Sequence, residues 1–109
     1  MTNTRPVVAD SSVEAYAQQA AESDHRTGQA HGHTRGPSGP TVTFGENEVV
    51  RWPHTVGVRD LITGAMASFY NEGPGGGHYE NLRNPTWGRV GCGLVLSNGS
   101  FTLVQHFRP

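Results

Sequence analysis

With 109 residues the chain has room for one domain and not two, and 34% hydrophobic residues beside 15 Gly and 7 Pro predict a thin core with much loop. Eight Arg and no Lys against nine acids leave a formal charge of −1, which excludes a basic field for nucleic acid. No apolar run approaches the roughly 18 to 20 residues of a membrane span, and Met1 to Asp10 lack the apolar centre of an export signal, so the chain as written reads as soluble and cytoplasmic.

Cys92 is the single cysteine, so no intramolecular disulfide can form, and a metal would have to use His and carboxylate ligands. Residues 1–5 read as a tail and 6–109 as the domain. Asp10, Ser11 and Ser12 offer N-caps for an amphipathic helix over Ser11 to Ala21, with Val13, Tyr16, Ala17, Ala20 and Ala21 on one face. From Ser23 to Gly39 the composition turns to Gly, His, Arg, Thr and Pro, which predicts a surface loop. Thr41 to Phe44 reads as a short strand, and Trp52-Pro53 as a break. Val58, Leu61, Ile62, Ala65, Met66 and Phe69 form the apolar stripe of a second helix over Val58 to Tyr70. Its weak point is Gly64, at a cost of about 1 kcal/mol against Ala.

After the helix, Gly73-Pro74-Gly75-Gly76-Gly77 reads as a flexible connector. Arg89 to Leu96 and Phe101 to Phe107 are strands joined through Asn98-Gly99, the pair that best tolerates the positive φ angles of a tight hairpin. Cys92 is expected to be a small buried residue. Its neighbours Gly91 and Gly93 imply another chain segment packed closely over the strand.

Nucleotide-binding glycine motifs, the Gly-x-Ser-x-Gly elbow and His-Glu-x-x-His are all absent. Instead, His31, His33, Glu46, Glu72 and His78 stand at the edges of the predicted elements. Neutral imidazoles with carboxylates suit zinc or another divalent cation, the carboxylate ligating the ion or orienting a His through its second ring nitrogen. A metal-bound water beside a Glu is also the chemistry of hydrolysis. The plain alternative is that these His residues are solvated. His25 and His54 read as surface residues, and His106 as a structural or exposed strand residue.

In order along the chain, these residues resemble the CAP superfamily of cysteine-rich secretory, antigen five and pathogenesis-related proteins. Ala15-Tyr16-Ala17-Gln18 is similar to that family's Ala-Tyr-Ala-Gln helix, His33-Thr34 to its His-Ser or His-Thr, and Gly45-Glu46-Asn47 to its Gly-Glu-Asn. Phe69-Tyr70-Asn71-Glu72 is similar to its aromatic-x-x-Glu helix end, Gly77-His78-Tyr79 to its Gly-His-Tyr, and Asn84-Pro85 through Val90-Gly91 to a bacterial form. The resemblance implies an α+β fold, a three-layer α-β-α sandwich of CAP type with the first helix missing or shortened. It also implies a cleft in which His33, Glu46, Glu72 and His78 would hold zinc or another divalent ion, with His31 the rival of His33. Members are usually extracellular, so secretion is the alternative compartment. Glu80-Asn81-Leu82-Arg83 departs from the usual Thr-Gln after Gly-His-Tyr, and Leu96 and Gln105 stand where hairpin cysteines are common.

The expected function is a binding module for a divalent ion and a small-molecule, lipid or peptide ligand. The alternative is a hydrolase or acid-base enzyme in which Glu46 and Glu72 act catalytically. A third reading is an interaction protein without a ligand, with Trp52 and Trp87 as contact residues.

Overall fold

The computed structural model describes residues 7–109; the expected tail at 1–5 and the domain's first residue, Pro6, lie outside the described residues. The chain folds as an α+β sandwich in the order β1 (Val8–Ala9), α1 (Ser11–Thr27), α2 (Gly32–Arg35), β2 (Gly45–Pro53), α3 (Val58–Asn71), α4 (Gly77–Arg83), β3 (Arg89–Ser97) and β4 (Ser100–Arg108). The strands make one sheet in the order β1-β3-β4-β2, with β1 parallel to β3 and the other pairings antiparallel.

Strand β4 is buried on both faces, and its alternation separates two cores. Phe101 and Leu103 pack with Val49 against Leu61, Ala65 and Phe69 of α3. On the other face Val104 packs against Ala17, Ala20 and Ala21 of α1. Period two along the strand and period 3.6 along each helix produce this arrangement. The hairpin between β3 and β4 turns at Asn98 (φ 55°) and Gly99 (φ 75°), the paired positive angles that match the strands' twist.

The helix α1 begins at the expected position, where the Asp10 carboxylate accepts the N–H groups of Ser12 and Val13. It continues to Thr27, beyond the expected end at Ala21, and stops at Gly28 in the left-handed conformation (φ 76°). The expected loop from Ser23 to Gly39 therefore contains the last turns of α1 and the short helix α2. Strand β2 starts at Gly45 and not at Thr41, and it runs through Trp52 to Pro53 with an irregular register between Val49 and Trp52. Arg51 absorbs this bulge with a φ of 54°.

Cys92 is exposed, against expectation, because Gly91 and Gly93 take the positions facing α1 and turn Cys92 to the thinly covered side of β3. A Cβ on Gly91 would lie 2.2 Å from the Glu14 nitrogen, and one on Gly93 would lie 2.4 Å from the Ala17 carbonyl oxygen. Gly64 is the contrast, since its Cβ position meets nothing within 4 Å. Gly93→Ala is expected to lower unfolding free energy by about 1–3 kcal/mol through overpacking. Gly64→Ala should raise it by about 0.5–1 kcal/mol through helix propensity. Urea midpoints of the two variants moving in opposite directions are the check.

Candidate functional site

Glu46, near the start of β2, turns its carboxylate towards α1 and α2, and that side chain is 1% exposed. Three groups satisfy it. His31 Nδ1 lies 2.8 Å from Oε1, while His106 Nδ1 and the Thr34 hydroxyl each lie 2.8 Å from Oε2. His106 is fully buried and stands directly across from Glu46 in the β2–β4 register. Its Nε2 accepts the Arg108 Nε–H at 2.9 Å, which assigns the imidazole proton to Nδ1, facing Glu46. Tyr16 and Phe44 pack on the His106 ring, and the Arg108 guanidinium lies over Tyr16. Burial pushes the Glu46 carboxyl up, but the bonds from His106, His31 and Thr34 outweigh it and hold the pKa at about 2.

The residue before α2, His31, has a φ of 58°, and its main-chain N–H donates to Glu48 Oε1 at 2.6 Å. Two residues on, the His33 N–H donates to Asp24 Oδ1 at 2.8 Å, and the His33 ring packs 5.5 Å from that of Tyr16. Of the two His residues, His31 is therefore the one whose imidazole meets Glu46. Asp24 is the acid against Glu48, and Asp24 Oδ2 and Glu48 Oε2 are both buried without a hydrogen-bond donor among the described residues. Burial, and then the contact with Asp24, raises Glu48 to about 9, so Glu48 keeps its proton at neutral pH.

Glu72 sits at the end of α3, and the glycine run after it folds back to begin α4. The run joins α3 to α4, and its last residue, Gly77, is the first of α4. The Glu72 carboxylate accepts the main-chain N–H of His78 at 3.0 Å and lies 2.5 Å from His78 Nδ1. A Cβ on Gly76 would lie 2.5 Å from Glu72 Cβ, so only glycine admits this return. The His78 ring stacks on Phe69 at 4.6 Å, and its bond to Glu72 holds that carboxyl below its ordinary range.

Two amides join the halves. Asn81 Nδ2 donates to the Glu46 carbonyl and to Asn47 Oδ1, and the fully buried Asn47 donates to the His78 carbonyl and to Gln105 Oε1. The result is a cleft of about 430 Å³ lined by His31, Arg35, Glu46, Glu72, Gly77, His78 and Asn81. Sequence reasoning passed over Thr34, Asn47, Asn81, Asp24, Glu48 and the role of His106. For His106 a signal existed, since hairpin register and alternation place it beside β2. His25 contacts the buried Thr102 hydroxyl at 2.7 Å and is half-buried, as is His54. Trp87 is buried against Phe107, whereas Trp52 is 40% exposed.

Ligand atoms of His31, Glu46 and Glu48 lie within 4.8 Å of one another, close enough for a cation. Glu48, however, is held protonated by burial and by Asp24, and Glu46 Oε2 already accepts two hydrogen bonds. Two further nitrogens of the cleft-lining residues are open to a ligand, the Nε2 atoms of His31 and His78. Among the described residues neither is hydrogen-bonded, and each ring is backed at Nδ1 by a carboxylate.

The sequence matches the profile described as CAP, the cysteine-rich secretory protein family, over residues 1–107. The fold is similar to the solved structure of BmVAL-1, with a TM-score of 0.63 and 17% sequence identity. The match covers 99% of this chain and 61% of that one, so this chain spans less than two thirds of the other's length. No curated protein matches the chain by sequence. Among the described residues no helix is long and apolar enough to cross a membrane.

The two buried acids have opposite pH signatures. Glu48 holds its proton more tightly folded than unfolded, so its contribution to stability is complete below about pH 4.5 and is lost as pH rises towards 9. Glu46, held low, contributes above about pH 4.5, and that contribution is lost as pH falls towards 2. A glutamine at position 48 keeps an acceptor for the His31 N–H and a donor for Asp24. Glu48→Gln should therefore fold normally and flatten the decline in stability between about pH 5 and 9, as followed by thermal melts across that range.

Proposed function

Because the chain belongs to the cysteine-rich secretory protein family, we propose that its cleft is a binding site, one that takes a divalent cation such as zinc through His31 and His78. The observation that supports this reading is the pair of carboxylate-backed imidazoles, His31 on Glu46 and His78 on Glu72, lining one cleft. A carboxylate at Nδ1 fixes the ring, places the proton there and leaves Nε2 as a basic ligand. Glu46 and Glu72 orient these rings, and open coordination positions would polarise a group on a bound molecule.

Binding is favoured over turnover by the state of the carboxyls. A general acid at neutral pH needs a raised pKa, yet Glu46 and Glu72 are both lowered. The raised group, Glu48, is committed to Asp24 and the His31 main chain. The cleft lining has no aliphatic side chain, so a polar small molecule or a peptide suits it better than a lipid.

Calorimetric titration of metal-stripped protein with zinc is expected to show saturable one-to-one binding. His31→Ala and His78→Ala should each abolish it and His33→Ala should retain it, while Glu72→Gln should weaken it about 10- to 100-fold. Absence of saturable binding by the folded protein refutes the proposal, and loss in His33→Ala with retention in His31→Ala refutes the choice of ligand.

A further inference from the structure

At the other end of β2, on the α1 face of the sheet, lies a second cavity of about 590 Å³ that shares no lining residue with the cleft. It is bounded by the last turns of α1, the β2 bulge and the tip of the β3–β4 hairpin, and its size falls within the range of small-molecule sites. Val95 is its one aliphatic lining residue, beside Ser97, Asn98 and Ser100.

Arg51 and His25 are held by fixed contacts. Arg51 reaches across the end of α1, donating from Nε to the His25 carbonyl at 2.8 Å and from Nη2 to the Arg26 carbonyl at 2.7 Å. Its Nη1 makes no hydrogen bond among the described residues, so this guanidinium is anchored with donors to spare. The backbone that places it there is strained into the left-handed region at 54°. Thr102, fully buried, accepts the Arg51 main-chain N–H at 3.1 Å and lies 2.7 Å from His25 Nδ1, which leaves His25 Nε2 for another partner. Arg26 lines the same cavity with an exposed side chain that has no acidic partner among the described residues. Against these stands one acid, Glu22, whose Oε2 accepts the Gln18 amide.

An anchored guanidinium and an unpaired one in an open recess suit a tetrahedral oxyanion, while hydroxyl and amide groups on the hairpin side suit the polar body of the molecule that carries it. We propose that this cavity binds a phosphorylated, hydroxyl-bearing small molecule, its phosphate held by Arg26, Arg51 and His25 and its hydroxyls by Ser97 and Ser100. With Val95 as the one aliphatic side chain in the lining, the cavity offers little to hold an acyl chain. This site is independent of the cation reading of the cleft.

The test is titration of the full chain, with EDTA present to silence any metal site, using glucose 6-phosphate, glucose and inorganic phosphate, followed by NMR at His25 and Asn98. A further arm uses phosphatidylcholine vesicles containing phosphatidic acid, which display a phosphomonoester on a membrane. Glucose 6-phosphate should give saturable shifts at both residues and bind more tightly than either glucose or inorganic phosphate. Arg26→Ala, which removes a side chain without structural partners, should weaken that binding about tenfold or more with unchanged circular dichroism. The proposal is overturned by absence of saturable shifts, by equal affinity for the sugar phosphate in folded Arg26→Ala, or by binding confined to the vesicles.

Discussion

The buried carboxylate of Glu46 is the constraint on which the architecture turns. An ionised carboxylate with 1% of its side chain exposed is tolerated only if its oxygens are fully hydrogen-bonded. Its donors come from three places in the chain: His31 before α2, Thr34 within α2, and His106 on β4. Satisfying one charge therefore fixes the segment after α1, the pairing of β2 with β4, and the orientation of an imidazole at the mouth of the cleft. Arg108 extends the arrangement outward by donating to His106, so the tautomer facing Glu46 is set by a residue at the end of the last strand.

Asp24 and Glu48 do for the main chain what the three donors do for Glu46. Asp24 takes the His33 N–H, Glu48 takes the His31 N–H, and the proton that Glu48 keeps removes the repulsion that would otherwise part α1 from β2. A polar, glycine-rich segment with few apolar side chains is ordered in this way by buried acids, in place of the hydrophobic contacts that hold α1 and α3.

This distinction explains what could be read from the sequence. The helices α1 and α3 and the hairpin were legible because apolar period and turn chemistry report directly on burial. The short helices α2 and α4 were not, since Gly32–Arg35 and Gly77–Arg83 contain almost no apolar residues and owe their order to Glu48, Asp24, Glu72 and Asn47. Strand β2 was displaced for the same reason. Gly45-Glu46-Asn47-Glu48 has loop composition, yet all four residues are buried in the sheet. At the site, residue types and element edges singled out Glu46, Glu72, His31, His33 and His78. Which of the two His rings meets Glu46 depends on a left-handed backbone at His31, a conformation that no spacing rule predicts for a non-glycine residue. The partners behind them are distant in sequence, as with His106, sixty positions from Glu46, and only the sheet register brings them near.

Each cavity takes one residue from β2, the edge strand of the sheet: Glu46 in the cleft and Arg51 in the second cavity. An edge strand has main-chain groups with no neighbouring strand to satisfy them, and an unprotected edge invites pairing with another chain. Here the Glu46 carbonyl is taken by the Asn81 side chain, and the bulge at Arg51 breaks the regular register at the far end. The groups that protect the edge also line the recesses: Asn81 and Glu46 in the cleft, Arg51 in the cavity between α1 and the hairpin tip. The chemistry of each recess follows from the charge that anchors it, a carboxylate at Glu46 and a guanidinium at Arg51.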